Sequence, residues 1–145
     1  MSRLSVDPVV LLPEHSERVD YPDDTIWLRA AGHGDLQVAD YTSTDREGPP
    51  FHSHPWDEAQ IVVEGVVEFR IGDDDWIGGG SGTVQLLPRG IPHTLRVPEG
   101  EARIIQVSIG PPYDGFARAM AQLFKSGAAL GDVVATAETH GVRLG

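Results

Sequence analysis

Three histidines and one glutamate have the residue types and the spacing of a metal site: His52, His54, Glu58 and His93. In His52-Ser53-His54 the two imidazoles are two residues apart. On a strand, residues i and i+2 project from one face, so both rings can converge on one ion. Pro55-Trp56-Asp57 then breaks the strand, and Glu58 opens the next one, where it can return a carboxylate to the same point. His93 follows the turn Pro88-Arg89-Gly90-Ile91-Pro92 and can supply a third imidazole. Three nitrogens and one oxygen suit Zn, Fe, Mn, Ni or Cu and leave room for water or substrate. The three histidines are the firmer part of this set, because Glu58 can serve instead as an acid or base. Gln60 lies two residues past Glu58, shares its inward face and can hydrogen-bond a substrate or a metal water.

Short strands must position these residues. Thr25 to Arg29 and Leu36 to Thr42 read as strands around the turn Gly32-His33-Gly34-Asp35. Ala59 to Val63 and Val66 to Ile71 form a hairpin about Glu64-Gly65, with Val67, Phe69 and Ile71 on one face and Glu68 and Arg70 on the other. Thr83 to Leu87, the alternating stretch from His93 to Val97, and Arg103 to Ile109 complete the set. Residues 1–24, with Pro8, Pro13 and Pro22, read as an irregular arm. Pro111-Pro112 ends the sheet region. Beyond it Asp114 can cap a helix carrying Phe116, Ala119, Met120, Leu123 and Phe124, which Gly127 stops, and a second helix runs from Asp132 to His140. The organisation predicted is a single domain over 1–145: arm, all-β barrel over 25–110, and helical tail over 111–145.

Composition narrows the function. The chain has 145 residues, a net charge of -11 and no cysteine. Disulfides, thiolate ligands and thiol nucleophiles are therefore excluded. A surface this acidic repels phosphate backbones and anionic lipid, so neither nucleic acid nor membrane is an expected partner. No apolar run approaches the roughly 18 residues of a spanning helix, and the N-terminal stretch holds no apolar core of a signal peptide. A soluble cytoplasmic protein is expected. Gly78-Gly79-Gly80-Ser81-Gly82 is read as a flexible turn rather than a phosphate loop, since no Gly-Lys-Ser/Thr follows. His33 is a turn residue that could fold in as an extra ligand, while His15 is expected to be exposed and His140 to sit at a helix end. Trp27, Phe51, Trp56 and Phe69 are candidates either for ordinary core or for the lining of an apolar cavity.

The pattern as a whole resembles the two cupin motifs. Gly48 precedes His52-x-His54, Glu58 and Gly65; later Gly82 precedes Pro88-x-Gly90 and His93. The second motif has its Gly, Pro, Gly and His in register, with Val97 where Asn is frequent, while in the first Gly48 sits closer to His52 than usual. The resemblance covers roughly residues 25–110. It implies a double-stranded β-helix barrel with His52, His54, Glu58 and His93 binding one divalent metal, zinc ahead of Fe, Mn, Ni, Co or Cu. In size and layout, tail from Tyr113 to Leu144 included, the chain is similar to the small cupins that act as polyketide cyclases in antibiotic biosynthesis. That likeness implies aldol-type cyclisation of a poly-β-ketone in an apolar cavity, with Glu58 as proton carrier and Gln60 as positioning group. A quercetinase-like dioxygenase uses the same ligand set, and a metal- or ligand-binding cupin without turnover is the third alternative. A small-molecule substrate and pairing into a homodimer through sheet edges or termini are expected.

Overall fold

The computed structural model describes residues 4–145; residues 1–3 of the N-terminal arm lie outside them. In chain order the elements are β1 (Glu17–Tyr21), β2 (Asp24–Ala30), β3 (Leu36–Ser43), β4 (His52–Ser53), β5 (Asp57–Glu64), β6 (Val67–Ile71), β7 (Ile77–Gly79), β8 (Val84–Leu87), β9 (His93–Arg96), β10 (Ala102–Ile109), α1 (Asp114–Ser126), α2 (Leu130–Thr139) and β11 (Arg143–Leu144). They form two antiparallel sheets, β1-β2-β3-β10-β5-β8 and β11-β4-β9-β6-β7. The architecture is the all-β one read from the sequence, with two helices after the last long strand.

Strict alternation builds the sheets. In β10, Ala102, Ile104, Gln106 and Ser108 are buried while the residues between them are partly exposed. In β5 the same holds for Glu58, Gln60 and Val62. Ile26, Leu28, Ala39, Tyr41, Val62 and Ile104 from one sheet meet Val67, Phe69, Leu95 and Val97 from the other in one core. Burial of this kind contributes about 25 cal/mol per Å² of apolar surface, and it forces the alternate residues of β5 and β10 to face the opposite sheet.

Four features differ from the sequence reading. Residues 17–21 are a strand rather than part of an irregular arm, because Pro22 and Asp23 turn the chain back and pair Glu17–Tyr21 with β2. Gly78 and Gly79 belong to an edge strand paired with β6, so only the remainder of the glycine run turns. The tail does not end in helix, since Arg143 and Leu144 return as β11 and pair with β4. Asp114 is the first residue of α1 rather than its cap, and it exchanges hydrogen bonds with Gln37. Gly127, in a left-handed conformation at φ 68°, does end α1. No helix among the described residues is long and apolar enough to cross a membrane.

Candidate metal centre

The two sheets bring His54, Glu58 and His93 to one point, with His52 alongside. β4 pairs with β9 through His52 and His93, which stand directly opposite each other with ring centroids 4.4 Å apart. His54 follows β4, and its carbonyl accepts from the amide of Gly90 at 3.0 Å, tying the first motif to the turn that precedes His93. Glu58 approaches from β5 in the other sheet. One ligand atom from each of His54, Glu58 and His93 lies within 4.8 Å of the others, and all three residues are buried, His93 to 1 % exposure. This His/Glu/His group can hold a metal ion. His52, the fourth expected ligand, stands beside the cluster and is half-buried.

The hydrogen bonds of the rings fix which nitrogen is free. Nδ1 of His52 faces the carbonyl of Pro50, Nδ1 of His54 that of Trp56, and Nδ1 of His93 that of Ile91, each at 2.8 Å. A carbonyl can only accept, so each Nδ1 carries the proton and each neutral ring keeps its lone pair at Nε2. Nε2 of His54 and of His93 are buried with no hydrogen-bond partner among the described residues. Glu58 Oε1 accepts from the indole N–H of Trp56 at 3.0 Å, and Oε2 accepts from Gln60 Nε2 at 2.7 Å. Oε1 also lies 3.5 Å from His54 Nε2, a contact rather than an aligned hydrogen bond. Two lone pairs and a carboxylate thus face each other in a buried space, which is unfavourable unless something positive lies between them. Nitrogen and oxygen donors held by outer hydrogen bonds fit a divalent transition ion.

The electrostatics are consistent with that fit. Burial above all, and then the closeness of the His52 ring, pushes His93 down to about 4, so its ring is neutral near pH 7. Burial also lowers His52. Burial opposes the charged form of His54, but the Glu58 carboxylate outweighs it and the net shift is upward. Burial likewise raises Glu58, and His54 with Trp56 more than reverses this, so the carboxylate remains ionised.

Several expected residues are placed elsewhere. His33 lines a surface cleft with Leu11, His15, Glu17 and Arg118, which contains none of the four residues above. His140 caps the C-terminal end of α2, against Phe116. The guanidinium groups of Arg18 and Arg29 lie over the Trp27 ring and that of Arg70 over Phe51, so neither ring lines an interior cavity. Phe69 is core. Trp56 has a role beyond apolar lining, since it stacks on His54 at 4.9 Å while donating to Glu58. Its place between His54 and Glu58 in the chain was the available signal. The wall beside Glu58 is not apolar, because Gln60, Gln85, Gln106 and Ser108 are all buried there. Gln85 was missed, although its inward position shows as alternation with Leu87 in the Val84 to Leu87 strand.

Residues 43–108 match the family model described as Cupin domain. A comparison with curated proteins found no match. Among solved structures, KdgF from Halomonas sp. is similar with a TM-score of 0.64 at 16% identity, over 74% of this chain and 99% of that one. Hydroxypropylphosphonic acid epoxidase from S. wedmorenis gives 0.61 at 14% identity, over 74% and 63%. The matched segment spans both histidine-bearing motifs and the sheets have the matching architecture, so the fold is that of a cupin domain. Within that class it resembles the polyketide cyclase RemF from Streptomyces resistomycificus, with a TM-score of 0.60 at 19% identity over 73% of this chain and 83% of that one. At such identities the likeness is one of fold, and the activities of these neighbours are varied.

Proposed function

We propose that the protein is a metal-dependent cupin enzyme that cyclises and aromatises a poly-β-ketone chain. The observation that carries the metal-dependent part is the pair of buried, unpartnered Nε2 atoms of His54 and His93 beside the Glu58 carboxylate. One divalent ion, zinc in this reading, held by His54, Glu58 and His93 with His52 as fourth ligand, gives these groups a partner at once. The likeness to RemF in fold and extent supports the choice of reaction.

When bound, such an ion polarises a ketone oxygen as a Lewis acid. The side chains of the site do the rest. Glu58, ionised despite its burial, takes a proton from a methylene between two ketone groups. The carbanion attacks a distant carbonyl carbon; a C–C bond forms, the C=O π bond opens to an alkoxide, and the proton returns from Glu58 to that oxygen. Loss of one water then aromatises the ring. Gln60, bonded to Oε2, and Trp56, bonded to Oε1, hold the carboxylate in one orientation throughout.

Metal analysis of the purified protein together with an oxygen electrode tests this reading. One zinc per chain, cyclisation of a poly-β-ketone thioester that fails in His93→Ala, and no oxygen uptake on flavonols are expected. Oxygen consumption with iron, nickel or copper would replace the cyclase by a quercetinase-like dioxygenase. Bound metal with no turnover of either substrate class would leave a binding cupin.

A further inference from the structure

The interior wall beyond Glu58 carries polar groups that the metal reading does not use. In the antiparallel ladders Gln106 lies opposite Gln60, and Gln60 lies opposite Gln85, so three glutamines form a row across β10, β5 and β8 on the inward face. Gln60 and Gln85 are each 4 % exposed, and Gln106 is 5 % exposed. Gln106 Nε2 donates to Ser108 Oγ at 3.1 Å, and Gln60 Nε2 donates to Glu58 Oε2 at 2.7 Å. Gln60 Oε1 and both amide atoms of Gln85 are buried with no hydrogen-bond partner among the described residues. Residues opposite each other have their Cβ atoms about 5 Å apart and could bond through their amides. Here Gln60 is drawn to Glu58, and Gln85 is left with one donor and one acceptor side by side, aimed into the interior.

Leaving three buried amide atoms unsatisfied is costly for a fold, and an apolar residue at position 85 would avoid most of that cost. Leu87, two residues along the same face, shows that the strand accepts one. We propose that Gln85, with Gln60 Oε1 beside it, is a substrate-recognition site for the enol–ketone edge of a 1,3-dicarbonyl compound, which sets a hydroxyl donor next to a carbonyl acceptor. Gln85 Nε2 donates to the ligand carbonyl, and Gln85 Oε1 accepts from the enol hydroxyl. Gln60 Oε1 takes a second hydroxyl. Because Gln60 also holds Glu58, a ligand so bound extends directly toward the carboxylate. Recognition by paired polar groups rejects analogues that lack one partner far more strongly than an apolar pocket does. This inference rests on Glu58 being the reaction centre and adds the chemical class that the site selects.

The test uses 2-pyridone, whose N–H and C=O lie side by side, and N-methyl-2-pyridone, which lacks the donor. Binding is read by side-chain amide NMR on the full chain, both zinc-loaded and after chelation, from the Gln85 NH₂ in wild type and from the Gln60 NH₂ in wild type and variants alike. The Gln85 NH₂ resonances are assigned by their loss in Gln85→Leu, with Gln85→Met as a second apolar variant of similar volume. Expected are a shift of the Gln85 signals with 2-pyridone in both metal states, binding of the N-methyl compound weaker by about tenfold, and a loss of about tenfold in both variants, which keep wild-type zinc content and an equal or higher melting temperature. Equal binding of the two pyridones, unchanged binding in the variants, no binding to wild type at millimolar probe, or unfolding of both variants would overturn the proposal. Absent zinc would sink the metal reading alone, since probe binding is also measured without metal.

Discussion

Trp56 and Glu58, two residues apart, are joined by an indole N–H to carboxylate hydrogen bond of 3.0 Å, while the same indole stacks on His54 at an interplanar angle of 6°. One side chain therefore sets the position of two members of the candidate centre. Trp56→Phe keeps most of the stacking and removes the donor. Outer partners of this kind are worth about 10–100-fold in metal affinity. Chelator competition on Trp56→Phe should show a loss in that range with the fold intact by circular dichroism. Unchanged affinity would mean that Trp56 is only core.

His93→Ala removes a proposed ligand whose Nε2 has no hydrogen-bond partner among the described residues. Zinc content should fall to background, while a core truncation of this type costs about 1–3 kcal/mol and leaves a folded chain. Because an ion that binds only the folded state stabilises it by mass action, chelation should lower the melting temperature of wild type. It should leave that of His93→Ala where it was. Full metal content in His93→Ala would exclude the arrangement described.

The outer face of the six-stranded sheet predicts a pH dependence. Asp40 on β3 accepts from Arg29 at 2.9 Å and 3.1 Å and from Arg103 at 2.8 Å and 2.9 Å. Arg103 above all, against the opposing effect of burial, holds the Asp40 carboxyl below the ordinary carboxylate range. A folded-state pKa below the unfolded one gives stability that is complete above the unfolded value and is lost as the pH falls through the folded value. Urea midpoints between neutral and acid pH should therefore fall less steeply in Asp40→Asn than in wild type. The variant should be weaker by about 1–3 kcal/mol at neutral pH, where the charge-assisted bonds are strongest. Parallel pH profiles would show that the pairing contributes nothing.

Local chemistry made the cluster of His54, Glu58 and His93 legible in the sequence. His52, His54, Glu58 and His93 lie close in chain or follow turns marked by glycine, and Gly48 explains why that marking is reliable. Its φ is 79°, and a Cβ there would collide with the carbonyl oxygen of Leu95, so the loop entering β4 needs a residue without a side chain. What the sequence did not disclose depends on long-range register. That Gln85 stands opposite Gln60 follows from the pairing of β5 with β8, which no local pattern encodes. The strand at Glu17–Tyr21 was hidden because its polar residues, Glu17, Arg18 and Asp20, outnumber its apolar ones, and only pairing with β2 makes it regular. The aromatic residues were candidates for core or for cavity lining, and two of them, Trp27 and Phe51, are instead covered by arginines.

β11 offers the last prediction. β4 has only two residues, and its ladder to β9 is the single pair His52 and His93. On its other side Arg143 pairs with Ser53 and Leu144 with His52, and the amide of Gly145 donates to the carbonyl of Phe51 at 2.7 Å. The tail therefore closes an edge that the strand carrying His52 would otherwise leave open. Removing residues 143–145 takes away no core residue, since Val142 and the helix residues Ala117, Met120 and Ala137 remain. The melting temperature should fall by only a few degrees, about what 1 kcal/mol produces in a domain of this size. Zinc affinity should drop by about tenfold, because His52 must then be ordered at the cost of binding energy. Amide exchange at 51–53 should quicken while that of β5 and β10 stays slow. If affinity and exchange both match the full chain, β4 is held by β9 alone and the tail strand has no part in shaping the centre.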